Sequence, residues 1–215
     1  MIVAVDGPAA AGKGTLARRL AERLGLAYLD TGLLYRAVGL AVLRAGGDPD
    51  DARAAVAAAR ALDSGALDDP ALRGDAAAGA ASQVAAIPAV RTELLDFQRN
   101  FAHSPPGGAA GAVLDGRDIG TVVCPEADRK LFVVASLEAR AARRLKELRE
   151  RGVEAIYSRV LADMQERDAR DKQRAVSPLV PAADAYVLDT TDLDADAALA
   201  KALDYINSRG SAKDV

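Results

Sequence analysis

A glycine-rich segment near the N-terminus has the composition of a phosphate-binding loop. Gly7, Gly12 and Lys13 give the spacing G-x-x-x-x-G-K, and a hydroxyl follows at Thr15. In such a loop, backbone N–H groups at the start of a helix point at the phosphates of a nucleotide. The lysine reaches the terminal phosphates, and the hydroxyl is offered to a magnesium ion. We therefore predict that a nucleoside triphosphate binds to Gly7, Pro8, Ala9, Ala10, Ala11, Gly12, Lys13, Gly14 and Thr15.

The residues around this loop supply the strand and the helix that the motif requires. An apolar run at 1–5 precedes it, and Leu16, Leu20 and Leu24 recur on one face of the segment that follows. A Gly/Ala-rich turn that contains a lysine by chance would need neither neighbour. The context therefore favours the functional interpretation of the loop.

Two arginines follow the next predicted strands. Arg36 comes after the strand at 26–29, and Arg117 comes directly after the strand at 112–115. In open α/β sheets, ligands bind at the carboxyl ends of the strands. A guanidinium can grip phosphate oxygens in a bidentate fork, so two arginines at this edge suit a second phosphate. Each arginine alone is equally compatible with a surface ion pair, and their shared position favours the second phosphate.

The segment 166–174 carries a third group of charges. On a helix Arg167, Asp171 and Arg174 share a face, and Arg170 lies beside Arg174. A movable helix with these arginines would close over the transferring phosphoryl group and neutralise its charge. It would also exclude water, which otherwise hydrolyses the triphosphate.

Strands alternate with helices along the chain, which predicts an α/β fold with a five-stranded parallel sheet covered on both faces. The length of 215 residues suffices for one well-buried core. An Ala-, Asp- and Gly-rich stretch at 48–81 predicts a small surface subdomain, and 103–108 a linker. The predicted strands are 1–5, 26–29, 112–115, 130–135 and 185–189. The predicted helices are 16–24, 33–44, 50–61, 80–86, 88–101, a charged region 137–173 that breaks near 152, and 195–206.

Charge and cysteine content exclude several classes of function. The net charge of −3 argues against nucleic acid as the main partner. Between 138 and 174 the local charge is +3, from 11 Lys/Arg against 8 Asp/Glu, which suits a small polyanion or, equally, a solvated helix with ion pairs. The single Cys124 excludes an internal disulfide, and we predict that it is a small buried side chain. His103 is predicted to be solvated without a catalytic role.

No apolar stretch has the length of a membrane span, and the N-terminus does not resemble a signal peptide. We therefore expect a cytoplasmic protein without a membrane partner.

Six motifs, in order over nearly the whole chain, resemble those of the bacterial cytidylate (CMP) kinases. The Asp-Gly-Arg-Asp and Arg-Ala-Val-x-Pro-Leu blocks are far more specific than the loop. The motifs are Val5–Pro8 with Gly12–Thr15, Leu29–Gly32 with Tyr35 and Arg36, Ala81–Ala85, Asp115–Thr121, Glu166–Asp168 and Arg174–Leu179.

This resemblance implies the P-loop nucleoside monophosphate kinase fold. Such enzymes transfer the γ-phosphate of ATP to CMP or dCMP, with Mg²⁺ accompanying the ATP, a reaction of pyrimidine nucleotide metabolism. The expected regions are a core at about 1–35, 108–137 and 180–209, an NMP-binding region at about 36–107 and a lid at about 138–179. We expect a monomer whose partners are ATP and CMP or dCMP.

The resemblance also implies roles for single residues. The expected phosphoryl-holding residues are Lys13, Arg117, Arg167 and Arg174, with Thr15 on magnesium. The expected CMP-binding residues are Thr31, Tyr35 and Arg36 at the nucleoside and its phosphate, Ser82, Arg91 and Asp118 at cytosine, Arg117 at a phosphate, and Asp171 and Arg174 at the sugar or base. The base chemistry agrees, because a carboxylate and an arginine complement the N4 donor and the N3 and O2 acceptors of cytosine. Uracil would turn O4 toward the carboxylate, a mismatch that discriminates strongly when buried.

The chain departs from the family pattern at two places. Ala10 stands where the family usually has glycine, and the extra methyl group is compatible only with a residue that does not need positive φ. Many relatives carry a β-rich insert in the NMP-binding region, whereas only a short stretch lies between 61 and 82. We therefore expect a trimmed subdomain there.

Two other functions remain open at the level of the residues. A kinase of another small acceptor, of the shikimate or gluconate type, shares the loop but does not explain Ser82, Arg91 and Asp118. A nucleotide-dependent switch without a second substrate does not need arginines for a second phosphate. The choice among Asp6, Asp30 and Asp115 as the aspartate that assists magnesium also stays open.

Overall fold

The computed structural model describes residues 1–208, so the predicted core range ending at 209 extends one residue beyond the described part. The strands are β1 (Ile2–Asp6), β2 (Ala27–Asp30), β3 (Ala112–Gly116), β4 (Arg129–Val134) and β5 (Tyr186–Asp189). The helices are α1 (Lys13–Leu24), α2 (Thr31–Arg44), α3 (Ala52–Arg60), α4 (Asp75–Val84), α5 (Pro88–His103), α6 (Leu137–Glu150), α7 (Tyr157–Lys172) and α8 (Ala195–Ser208).

All five strands are parallel and lie in the order β2-β3-β1-β4-β5, which confirms the predicted sheet. In the register of β1 and β3, Asp6 lies opposite Gly116. In the register of β2 and β3, Asp30 lies opposite Asp115. The ends of β1, β2 and β3 therefore meet at one edge of the sheet, where the loops that follow them share a crevice.

Both faces of the sheet are covered. One face packs against α1 and α8 through a cluster that includes Val3, Leu20 and Ile206. The other packs against α5 and the turn after β3 through Leu114 and Ile119, among others. Strands buried on both faces contain continuous apolar runs, which is why these strands could be located in the sequence.

Helices α2 to α5 enclose a core of their own, where the sequence predicted only a small surface subdomain. Leu34 and Val38 of α2 are fully buried there with Val84 of α4. Gly39 allows α2 and α4 to cross closely, because a Cβ at this position would lie 2.7 Å from the Cβ of Ala80. Between 61 and 82 the structure has two short 3₁₀ turns and the start of α4, with no strand in this described stretch.

Two predicted boundaries were wrong. Helix α4 begins at Asp75 rather than at Ala80, because Gly74 takes an extended conformation and the alanines after it are strong helix formers. His103 is the last residue of α5 rather than part of a linker; it is half-exposed, 3.2 Å from Glu126.

Helices α6 and α7 pack on each other through a small cluster that includes Leu148, Val160 and Met164. They are separated by a turn in which Gly152 has φ of +74°, as the predicted break near this glycine requires. Helix α7 ends at Lys172, so Arg174 lies beyond it and not on its face as expected. The N–H of Leu179 donates to the carbonyl of Asp171, so the segment 172–179 folds back on the end of α7.

In the described chain, no helix combines the length and the apolar character needed to cross a membrane. Cys124 is fully buried, as predicted, and burial raises the pKa of its thiol to about 11.

Candidate active site

The loop between β1 and α1 has the geometry of a phosphate-binding loop. Gly7 has φ of +144°, and a Cβ there would lie 2.0 Å from the carbonyl oxygen of Val133, so only glycine fits. Gly12, with φ of +87°, caps α1. Lys13 is buried at the start of the helix, where its Nζ donates to the carbonyl of Pro8 at 3.3 Å.

Ala10 adopts positive φ, +57°, although the methyl group of an alanine was expected to be incompatible with this conformation. The left-handed conformation costs a non-glycine residue roughly 1–2 kcal/mol. The loop therefore retains its fold at the expense of local backbone strain.

Asp115 is the carboxylate nearest to the loop. One of its oxygens lies 3.5 Å from Nζ of Lys13, and the other would lie 3.3 Å from a Cβ at Gly14. The glycine between Lys13 and Thr15 thus admits this carboxylate beside the first turn of α1. Burial raises the pKa of Asp115, and burial together with the Arg117 charge lowers the pKa of Lys13.

Asp6 joins the end of β1 to the turn that follows β3. Its two carboxylate oxygens accept hydrogen bonds from the N–H groups of Ile119 and Gly120, each at 2.8 Å. Burial raises the pKa of Asp6 to about 7, although both hydrogen bonds oppose the shift. Asp6 therefore fixes the position of the segment that carries Arg117 and Asp118.

A cleft of about 510 Å³ extends from the phosphate loop toward α4 and α7. Its walls bring together predicted residues from both halves of the sequence: Ala9, Ala10, Lys13, Arg36, Ser82, Arg117 and Arg167. Arg36 also donates to the carbonyl of Leu72 at 2.8 Å, which fixes one nitrogen of its guanidinium.

Asp171 orders two arginines beside this cleft. Its carboxylate accepts from Nε of Arg117 at 3.1 Å and from Nη2 of Arg174. Burial opposes the charged form of Asp171, but Arg117 and Arg174 outweigh it and lower the pKa of its carboxyl. Of the residues predicted on one helical face, Asp171 and Arg174 form an ion pair although Arg174 lies past the helix end, whereas Arg167 has no ion pair among the described residues.

Arg91 and Asp118 form a second buried pair. Nη2 of Arg91 lies 2.5 Å from a carboxylate oxygen of Asp118, and both side chains are less than a tenth exposed. Nη1 of Arg91 donates to the carbonyl of Ala85, and its guanidinium lies 5.2 Å from the ring centre of Tyr35. These contacts fix the guanidinium of Arg91 against Asp118, Ala85 and Tyr35.

Several buried polar atoms of the predicted site have no hydrogen-bond partner among the described residues. They are Oγ of Ser82 and Nε of Arg91, Arg167 and Arg174. Unsatisfied buried donors are costly and rare in folded proteins, so their concentration here indicates a polar ligand. Burial, together with the Arg117 charge, lowers the pKa of Arg167 to about 10, although the Asp171 charge opposes this shift.

Thr31 and Thr15 are among the predicted site residues that do not line this cleft. The hydroxyl of Thr31 donates to the carbonyl of Asp115 at 2.8 Å and so connects α2 to β3. Thr15 is exposed in the first turn of α1.

Comparison with known proteins gives a consistent result. The family model for cytidylate kinase matches residues 3–208. This chain belongs to the cytidylate kinase family. The cytidylate kinase of Paramagnetospirillum magneticum is 68% identical over 208 residues, covering 97% of this chain and 98% of that protein. The cytidylate kinase of Rhodospirillum rubrum is 64% identical over 206 residues, covering 96% and 97%.

Solved structures support the fold alone. An uncharacterised protein from Eubacterium ventriosum superposes with a TM-score of 0.55 at 15% identity, covering 97% of this chain and 99% of that one. A sugar kinase from Janibacter superposes with a TM-score of 0.50 at 14% identity, covering 96% and 94%.

Membership of this family confirms the predicted resemblance and makes the chain an enzyme, a kinase that phosphorylates CMP with ATP. The alternatives of another small acceptor and of a nucleotide-dependent switch are thereby set aside. Sequence reasoning did not find Asp6 as the support of the turn after β3, nor the contacts of Arg140 described below. Both depend on partners far away in the chain, for which a single sequence carries no signal.

Proposed function

We propose that the chain transfers the γ-phosphate of ATP directly to the 5′-phosphate of CMP or dCMP, without a covalent enzyme intermediate. The observation that carries this proposal is the cleft between Lys13 and Arg167, whose walls and surroundings contain unpaired buried donors. The acceptor phosphate is already a nucleophile, so catalysis consists of positioning and charge neutralisation.

ATP binds with its phosphates against the loop at 7–15 and the N-terminus of α1. Lys13 contacts the terminal phosphates. Its Nζ, which donates to the carbonyl of Pro8 without nucleotide, then donates to phosphate oxygens instead. Thr15 would hold Mg²⁺, and Asp115 is the carboxylate beside the first turn of α1 that would assist it. This donor set of few protein oxygens fits magnesium. When bound, the ion would supply positive charge that stabilises the triphosphate during transfer.

CMP binds between α4 and the turn after β3. Ser82, Arg91 and Asp118 read the cytosine edge, supported by the stacking of Arg91 on Tyr35. Arg36 and Arg117 hold the acceptor phosphate, and Asp171 with Arg174 contacts the sugar or base. Thr31 supports the site through its hydrogen bond to Asp115, which attaches the start of α2 to β3.

Four side chains hold the phosphoryl oxygens during transfer: Lys13, Arg117, Arg167 and Arg174. Arg167 has the strongest case, because it lines the cleft and its Nε has no acceptor among the described residues. Its guanidinium neutralises charge that develops on the transferring group.

Residues 36–107 form the NMP-binding region and 138–179 the lid in this proposal. Arg144 of α6 pairs with Asp75 of α4, which closes the two regions on each other. A monomeric state and a cytoplasmic location complete the proposal.

A panel of nucleoside monophosphates tests this proposal. In an assay coupled to ADP formation, CMP and dCMP should stimulate ATP turnover strongly, and AMP and GMP little. Lys13→Ala, purified identically, controls for contaminating kinases. ATP hydrolysis that is indifferent to every acceptor would refute the proposal.

A further inference from the structure

Arg140, near the start of α6, connects three parts of the molecule through one buried guanidinium. Its Nε donates to the carbonyl of Ala135 at the end of β4, at 3.1 Å. Its Nη1 donates to the carbonyl of Ala9 in the phosphate loop, at 3.3 Å. Nη1 and Nη2 donate to the two carboxylate oxygens of Asp168 on α7, at 3.1 and 2.6 Å. Only 6% of the Arg140 side chain is exposed.

The carboxylate that pairs with Arg140 belongs to Asp168, which lies on α7 next to a residue of the cleft. Asp168 follows Arg167, which lines the cleft, and its own side chain is 15% exposed. The carbonyl that shares the guanidinium belongs to Ala9, which precedes the strained Ala10. Arg140 thus couples the helix with the phosphoryl-contacting arginine to the loop that holds the triphosphate.

The chemistry of the pair fixes geometry as well as distance. A bidentate guanidinium–carboxylate pair has a defined plane and two parallel hydrogen bonds. A lysine keeps the charge but cannot reproduce this fork. Since a misplacement of 1 Å costs about 10²-fold in rate for a reaction that depends on alignment, such a link has catalytic consequences without touching the substrate.

We propose that Arg140 and Asp168 are positioning residues that hold α7, and with it Arg167, in register with the phosphate loop. The proposal rests on the proposed role of Arg167 in phosphoryl transfer. When the pair is broken, Arg167 no longer meets the transferring group, and water gains access to it. If the pair were purely structural, breaking it would lower stability, but the phosphoryl group would still be transferred to CMP rather than to water.

The ratio of CDP formed to ATP consumed distinguishes these roles, because it is independent of the fraction of folded enzyme. The wild-type ratio should be close to one. Asp168→Asn, which keeps the shape but removes the charge, should lower kcat by about 10- to 100-fold. It should also lower the CDP-to-ATP ratio and leave KM for CMP within about twofold. Arg140→Lys should act in the same direction, which keeps the test valid if one variant does not fold.

A matched control is available on the same helix as Arg140. Glu150 forms a surface pair with Lys146, both more than half exposed, so Glu150→Gln should leave kcat and the ratio unchanged. A double-mutant cycle tests whether the Arg140–Asp168 pair acts on kcat through Arg167. If the pair acts through this residue, Asp168→Asn in an Arg167→Ala background should change kcat by less than about twofold.

Two outcomes would overturn the proposal: a folded Asp168→Asn enzyme with wild-type kcat, or a lowered melting temperature and kcat with the ratio still at one. Failure of the proposed function itself is read separately, from the absence of CDP with the wild-type enzyme.

Discussion

In the proposed binding mode, ATP, the phosphoryl donor, lies at the phosphate loop, and CMP, the acceptor, lies at Ser82, Arg91 and Asp118. These donor and acceptor sides differ in whether the buried polar groups of the protein have hydrogen-bond partners. At the phosphate loop, Lys13 already has Pro8 and Asp115 as partners, and Asp6 accepts two backbone hydrogen bonds. At the acceptor side, the hydroxyl of Ser82 and the Nε of Arg91 are buried without partners among the described residues. The named donor-side side chains thus have partners within the protein, whereas the named acceptor-side groups become paired only when a ligand supplies partners.

This difference separates binding from selection. A pre-organised loop binds the phosphates of any nucleoside triphosphate through backbone N–H groups, which carry no information about an acceptor. Rigid but unsatisfied donors accept only a ligand that supplies matching groups, because a mismatch leaves them buried and unpaired. In the proposed binding mode, selectivity for the acceptor base therefore depends on Ser82, Arg91 and Asp118, in α4, α5 and the turn after β3.

The largest effect is expected at Arg167, a cation that lines the cleft and forms no ion pair within the described chain. Arg167→Ala should lower the rate of phosphoryl transfer by about 10²- to 10³-fold, as for other pre-organised charge stabilisers. Single-turnover measurement with saturating ATP and CMP isolates this step from product release. An unchanged single-turnover rate would show that Arg167 does not contact the transferring group.

On the donor side, Asp6 gives stability a pH dependence. Its pKa is raised from 3.8 to about 7 in the native state, so the native protein retains a proton that the unfolded chain releases in this range. Its contribution to stability is therefore present below about pH 4 and lost as the pH rises through 7. The excess of the wild-type free energy of unfolding over that of Asp6→Asn should fall by up to about 1.4 kcal/mol per pH unit between these values.

Urea unfolding at several pH values, with both proteins in the same buffers, measures this excess. A constant difference between wild type and Asp6→Asn would mean that Asp6 does not titrate in this window.

Ser82 offers a test in which function and stability move in opposite directions. Ser82→Ala should raise KM for CMP by about 3- to 10-fold, the value of one hydrogen bond, and leave KM for ATP unchanged. Without ligand the variant should be as stable as the wild type or more so, since an unsatisfied buried hydroxyl is removed. Steady-state kinetics measures the two KM values, and thermal melting measures the stability. A lower melting temperature with unchanged KM for CMP would show that Ser82 stabilises the fold and does not bind CMP.

The smallest effect is expected at Ala10. Glycine removes the cost of the left-handed conformation but loses more backbone entropy on folding, so Ala10→Gly should stabilise the protein by up to about 1 kcal/mol. Urea unfolding with and without ATP measures this gain. A loss of stability would mean that the methyl group makes contacts that outweigh its backbone strain.

Much of the fold could be predicted from the sequence, because the buried strands are short apolar runs bounded by turn residues. The five predicted strands lie within two residues of the observed ones. The region 48–81 was harder, because an alanine-rich segment has high helix propensity but no apolar periodicity to mark its ends or its buried face.

The candidate site was predictable in composition and less so in geometry. The resemblance identified Arg91 and Asp118, but not their direct ion pair. The contacts of Arg140 with Ala9 and Asp168 and those of Asp6 with Ile119 and Gly120 join residues that are 28 to 131 positions apart. Such contacts follow from how the sheet and the lid are assembled, and local spacing does not encode them.

The central claim, that the acceptor side selects the base, is tested most directly at Asp118. The measurement is the ratio of kcat/KM for CMP to kcat/KM for UMP, in the wild type and in Asp118→Asn. A carboxylate favours the N4 donor of cytosine over O4 of uracil, whereas an amide can face either. We predict that this ratio falls at least tenfold in the variant, mainly through loss of activity on CMP. Equal losses with CMP and UMP, leaving the ratio unchanged, would contradict the account.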